Sequence, residues 1–122
     1  MTVVDSCGWI EYFTDGPLAE RYRRYLKKNA QLVVPTVTLF EVYKKIKREI
    51  GEEKALIAVA RMKQGKTTPL TETIALHAAD LGLLHDLPMA DSIVYATARL
   101  AEATLVTSDA HFKGLGDVTF VE

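Results

Sequence analysis

Two short apolar stretches of this chain end at an aspartate: Val3-Val4-Asp5 and Leu105-Val106-Thr107-Ser108-Asp109. Strands favour β-branched residues and are depleted in Asp, so an acid at the end of an apolar strand calls for a reason. A third acid, Asp91, opens a mainly apolar helical stretch, where the helix dipole favours a negative charge. In a parallel sheet the strand C-termini and the N-termini of the following helices share one edge. Asp5, Asp91 and Asp109 can therefore converge there. Glu41, early in its own helix, can join them or form an i,i+4 pair with Lys45 on the helix surface, and spacing leaves both open. Carboxylates packed together repel unless they share a proton or a cation. Oxygen donors without Cys or His suit Mg²⁺ or Mn²⁺. Such a centre supports phosphoryl-group chemistry, in which a metal acidifies water and stabilises charge on the phosphate.

The elements that must position these acids alternate between strand and helix. Residues 2–4 form a strand, and Asp5 or Ser6 caps a short helix over 8–13. Asp15-Gly16-Pro17 marks a turn, and 18–28 form a helix that stops near Asn29. Residues 31–35 form a second strand ended by proline. Thr36 or Thr38 caps a helix to about Ile50, with Leu39, Val42, Tyr43, Ile46 and Ile50 on its apolar stripe and Lys44, Lys45 and Arg48 opposite. After Gly51 comes a helix over 52–64, then a short extended piece at 66–69 that can serve as a third strand. Thr71 caps the next helix, which runs to about Leu84 despite Gly82 inside it. The Asp91 helix is apolar on most sides and reads as central. A strand at 104–107, a short turn at 110–113 and a last strand at 118–121 complete the chain. This alternation predicts an α/β fold with a mostly parallel central sheet.

The chain has 122 residues, 48% of them hydrophobic and 25% charged, enough for one domain with a core. The net charge of −1 conceals a division: residues 21–66 hold 13 of the 15 Lys and Arg against four acids, whereas both ends are acidic. A basic middle beside an acidic centre suits a polyanionic partner, although solvated helix faces carry such charge equally well. One cysteine precludes an internal disulfide and fits a reducing compartment. No apolar run is long enough for a leader or membrane span, so a soluble, cytoplasmic protein is expected.

Other chemistries have less support. His77, His85 and His111 lack zinc-ligand spacing and read as surface residues. Cys7 has no evident His partner and reads as inert packing near Asp5. No glycine-rich phosphate loop occurs. A phosphatase with Asp5 as nucleophile would commonly carry a second Asp two residues on, where Cys7 stands.

Four motifs in order resemble those of the PIN domain, in particular the VapC-type toxins of toxin–antitoxin pairs. They are Val3-Val4-Asp5-Ser6 with Trp9-Ile10-Glu11-Tyr12-Phe13, Pro35 to Val42 around Glu41, Met89 to Ala98 around Asp91, and Leu105 to Phe112 around Asp109. The resemblance covers nearly the whole chain and implies a single PIN-like domain over 1–122, a three-layer αβα sandwich. It also implies a Mg²⁺- or Mn²⁺-dependent endoribonuclease that cuts structured RNA, such as a tRNA or rRNA loop. By position, Asp5, Asp91 and Asp109 would hold the metal and Glu41 would complete the site or orient water. Ser6 and Thr107 would be hydrogen-bond donors steadying the carboxylates. A cognate VapB-like antitoxin and a homodimer are further implications. Cys7-Gly8 departs from the family, which more often has a hydroxyl residue and then a larger one, and is expected to loosen the start of the first helix. The rival reading is a PIN-like RNA- or protein-binding module without nuclease activity.

Overall fold

A computed structural model describes residues 1–122. β1 (Thr2–Val4) leads through Asp5 into α1 (Ser6–Phe13) and then α2 (Ala19–Leu26). A 3₁₀ turn at Asn29–Gln31 precedes β2 (Val33–Pro35), α3 (Thr36–Glu49) and α4 (Glu52–Met62). β3 (Lys66–Thr68), α5 (Glu72–His85), α6 (Met89–Leu100) and β4 (Thr104–Thr107) follow. A second 3₁₀ turn, Ala110–Phe112, precedes β5 (Val118–Phe120).

Every strand pairing is parallel. β1, β4 and β5 pair in that order, β2 pairs with β3, and a bridge between Thr2 and Leu32 sets β2 beside β1. Read across, the order is β3-β2-β1-β4-β5. The chain first builds outward from β1 on one side, then returns to build on the other. The carboxyl ends of β1 and β4 therefore flank the topological switch point, where open α/β sheets leave a crevice.

The strands alternate their side chains between two cores, as a period of two requires. Val4, Val34 and Val106 pack with Trp9, Tyr22, Leu26, Val42, Ile46 and Met62 beneath α1–α4. Val3, Val33 and Leu105 pack on the other face with Ile74, Ala78, Leu81, Val94, Tyr95 and Phe112 beneath α5 and α6. Helices thus cover both faces of a parallel sheet, giving the expected three layers. No helix is long and apolar enough to cross a membrane.

Local details differ from the expectations. Pro35, not Thr36 or Thr38, occupies the N-cap position of α3. Proline sets the extended entry into a helix and has no N–H to satisfy. Thr38 is wholly buried, and its hydroxyl has no hydrogen-bond partner. Thr71 does cap α5, accepting from the Ile74 N–H at 3.2 Å. Ile50, at the end of the predicted α3 stripe, is 54% exposed.

Two glycines are explained by close approach. A Cβ on Gly82 would lie 2.7 Å from Ser92 Oγ, so glycine lets α6 pack against the middle of α5. A Cβ on Gly8 would lie 2.4 Å from the Tyr22 ring. Gly8 therefore gives Tyr22 its place across α1, and that helix begins at Ser6 under its Asp5 cap rather than loosening.

Candidate active site

Asp5 continues the β1 ladder by donating its backbone N–H to the Val106 carbonyl at 3.0 Å. Its side chain is buried, 3% exposed. One oxygen, Oδ1, accepts from the Ser6 N–H at 2.8 Å, and Oδ2 accepts from the Thr107 hydroxyl at 2.8 Å. Thr107, the last residue of β4, also accepts from the Asp109 N–H at 2.9 Å. One hydroxyl thus ties the ends of the two strands at the switch point together. Asp109 in turn caps the second 3₁₀ turn by accepting from the His111 N–H at 2.9 Å.

Asp91 reaches the same edge from the first turn of α6. Between it and Asp109 stands an imidazole: His111 Nδ1 is 2.9 Å from Asp91 Oδ2 and 3.1 Å from Asp109 Oδ1. Ligand atoms of Asp91, Asp109 and His111 lie within 4.8 Å of one another. Asp5 and Glu41 lie outside that group of three, but close enough for their charges to be felt. Glu41 points toward the acids rather than to Lys45, which lies 3.9 Å from Glu49 instead.

The electrostatics follow from burial and crowding. Burial pushes the Asp5 carboxyl up to about 6; Thr107 and Ser6 pull it down, and the charges of Asp91 and Asp109 add to the rise. Glu41 is raised by burial and then by Asp5, with the Ser6 side chain opposing and Asp91 and Asp109 adding smaller increments. Asp91 is raised by burial and by Asp109, while His111 opposes. His111 itself is raised, foremost by the Asp109 charge and by its hydrogen bond to Asp91. Charge that is expensive to keep is gathered in one place, where a bound cation would relieve it.

The donor set fits a hard divalent cation. Carboxylates from three segments supply oxygen ligands, and the imidazole is a nitrogen donor acceptable to Mn²⁺ more readily than to Mg²⁺. Asp5, Asp91 and Asp109 would hold such an ion, with His111 at its side. His111 is 55% exposed, so the expected surface position is correct, yet the sequence reading missed its place among the acids. The available signal was its position two residues after Asp109, where an Asp side chain commonly turns the backbone back onto itself.

Cys7 is not isolated packing. Its Sγ lies 3.6 Å from Thr107 Oγ1 and 3.8 Å from both Asp5 Oδ2 and the Tyr22 hydroxyl. Tyr22 also bonds the Ser108 hydroxyl, so α2 braces the loop leading to Asp109. Burial pushes the Cys7 thiol up, and the charge of Asp5 adds to this, which opposes nucleophilic use of its sulfur.

Thr107 is the point at which this arrangement is most exposed to a single change. Thr107→Val keeps the shape but leaves Asp5 Oδ2 and the Asp109 N–H without that partner. We expect a stability loss of about 1–3 kcal/mol by urea unfolding. A fall of about 10- to 100-fold in any metal-dependent activity should accompany it. Thr107→Ser should retain most of both.

A groove of about 460 Å³ leaves the acids along α3. It runs from Ser6, Cys7 and Glu41 past Phe40 to Lys44, Lys45 and Arg48. The charge division seen in the sequence thus becomes spatial, with a basic helix face adjoining the acidic centre.

Residues 2–118 match the family described as the PIN domain. The fold resembles that of a toxin–antitoxin complex from Klebsiella pneumoniae, with a TM-score of 0.83 at 22% identity over 98% of this chain and 96% of that one. It resembles a sarcin–ricin-loop-cleaving VapC toxin from Mycobacterium tuberculosis with a TM-score of 0.79 at 18% identity, over 95% of each chain. A VapBC complex from Rickettsia felis, bound to a promoter DNA fragment, gives a TM-score of 0.79 at 14% identity over 99% of this chain and 98% of that one. No curated protein sequence matches the chain.

Proposed function

The chain belongs to the PIN-domain family, and from that premise we propose that it is a Mg²⁺- or Mn²⁺-dependent endoribonuclease, the toxin of a type II toxin–antitoxin pair. The observation that carries this reading is the convergence of acids from four separate segments at the switch point, with Asp5, Glu41 and Asp91 all raised by burial and by the charge of neighbouring acids, Asp109 acting on all three. A protein that only bound RNA would gain nothing from the expense of that crowding. We read residues 1–122 as one PIN domain.

Asp5, Asp91 and Asp109 would hold the divalent cation, which when bound would supply an acidified water and positive charge for the phosphate oxygens. Glu41, half-buried and raised in pKa, accepts the proton of the attacking water on its carboxylate. Thr107 and the Ser6 N–H hold the Asp5 carboxylate in one orientation. Lys44, Lys45 and Arg48 bind the phosphates flanking the cleaved bond, steering the backbone toward the acids. The fold likeness to toxin–antitoxin complexes supports an antitoxin as the inhibitory partner.

The test is to map RNA ends in cells after a pulse of expression, wild type against Asp5→Asn. New ends at a few defined loop positions, seen only with the wild type, are expected. RNA bound but never cut in Mg²⁺ or Mn²⁺ would replace the reading with that of a binding module.

The homodimer is a proposal supported by a second surface. An apolar groove of about 720 Å³ lies along α5 and the start of α6, and on its rim Leu83 is 88% and Met89 80% exposed. Light scattering should give twice the chain mass, and Leu83→Glu should halve it.

A further inference from the structure

Ten side chains of this protein are Phe, Tyr or Trp, and of these only Phe40 is exposed, at 60%. An aromatic ring left in water adds little to the core, so its type is free to serve another role. Phe40 stands next to Glu41 in α3 and lines the groove that leaves the acids. Lys44, one turn on, carries its ammonium 5.5 Å from the Phe40 ring centroid and makes no ion pair. Arg48 lies one further turn along, where its nearest acid, Glu49, is 4.0 Å away. Phe40, Lys44 and Arg48 are spaced i, i+4, i+8 and so form one stripe rising about 6 Å per step. Of the two acids lining this groove, Glu41 belongs to the acidic centre, and Glu11 accepts from the Leu18 N–H at 2.9 Å and is engaged elsewhere.

A flat ring followed by two exposed cations along one helix face, Lys44 without an ion pair and Arg48 with one long pair to Glu49, matches a single nucleic-acid strand, which offers a base face and then successive phosphates. A paired duplex would keep its bases stacked inside and present no free face to Phe40. Resting on the endoribonuclease reading, we infer that Phe40 is the stacking platform for an unpaired base of the RNA beside the cleaved phosphate, with Lys44 and Arg48 holding the phosphates that follow. Cleavage is thereby restricted to nucleotides already unstacked, as in a loop. Phe40 is a specificity-determining residue and touches no reacting atom.

The test uses the full chain and a short oligouridylate carrying one 2-aminopurine, whose fluorescence is quenched on stacking. Binding is measured in the Asp5→Asn background so that the RNA stays intact. Phe40→Ala should weaken binding about 5- to 100-fold and abolish the additional quenching on binding. Phe40→Trp and Phe40→Tyr should retain both, whereas Phe40→Leu, apolar but without a π face, should behave as alanine does. The salt dependence should be unchanged in Phe40→Ala and flattened in Lys44→Glu with Arg48→Glu. Because the ring is exposed, thermal melting should be unaffected by these changes at Phe40. Affinity and quenching unchanged in Phe40→Ala would overturn the inference, as would Phe40→Leu binding like the wild type. If RNA is unaffected and only a complex with a protein partner weakens, the ring is a protein-docking residue and the inference is wrong. Cleavage is assayed in parallel with Phe40 intact. Its absence removes the endoribonuclease reading, whereas cleavage with an unaltered KM in Phe40→Ala removes only the stacking platform.

Discussion

Asp5→Asn is expected to abolish RNA cleavage, by about 10²- to 10⁴-fold or more, and at the same time to make the metal-free protein more stable at neutral pH. The two effects have one cause. Asp5 is buried, and its carboxyl rises from an ordinary 3.8 to about 6. In the unfolded chain the group ionises freely above 3.8; in the folded protein it does so only above about 6. The stability of the protonated form is thus fully present below pH 3.8 and is lost progressively as pH rises to about 6. Above that, the penalty levels off at about 3 kcal/mol for a shift of this size. An amide carries no charge, keeps the shape and can still accept from the Ser6 N–H, while the loss of the acceptor for the Thr107 hydroxyl offsets part of the gain. In chelator at pH 7, Asp5→Asn should therefore still melt higher, by on the order of 5 °C. At pH 4 the two proteins should melt nearly together. Cleavage retained in Asp5→Asn would remove Asp5 from the chemistry. Cleavage lost together with a lower melting temperature would mean that the aspartate acts by supporting the fold. A phosphorylated Asp5 would point to the phosphatase reading, in which the carboxylate is a nucleophile.

The second large effect is that of the metal on stability, and it should invert the pH profile. Without metal, stability should fall from pH 4 to pH 7, because Asp5, Glu41 and Asp91 are all raised and lose protons they hold more tightly when folded. His111 acts in the same direction. Its raised pKa means that its ion pairs with Asp91 and Asp109 stabilise below its unfolded value and are lost as pH passes its folded one. Mn²⁺ or Mg²⁺ should reverse the trend, since only ionised carboxylates bind it. At a hundredfold excess over Kd the gain is about 2.7 kcal/mol. The melting temperature in Mn²⁺ should therefore rise relative to chelator at pH 7 and hardly move at pH 4. Cleavage should cease in chelator and return with the ion. A melting temperature indifferent to both ions across the pH range would leave the acids without a cation to bind, and the proposed chemistry would fall with it.

The sequence alone was enough for the fold class and for three of the converging acids. Short apolar runs at Val3-Val4, Val33-Val34 and Leu105-Val106 predict buried strands, and their alternation with helices predicts a mostly parallel sheet. Those two facts allow Asp5, Asp91 and Asp109 to share one edge, and the structure brings them together there. The order of motifs along the chain carried the family. Glu41 was different: a helix residue four before a lysine reads equally as a surface ion pair, and only the packing of α3 against α1 turns it toward the acids. His111 was invisible because its meaning depends on Asp91, twenty residues away in sequence, arriving at hydrogen-bond distance. Phe40 lies off the predicted α3 stripe, but that it stands in solvent beside Lys44 and Arg48 in a groove leaving the acids is a property of the assembled surface. Local chemistry, written in backbone preference and side-chain period, is legible residue by residue. Exposure, pairing and pKa arise from what lies across the fold, and those the tertiary structure decides.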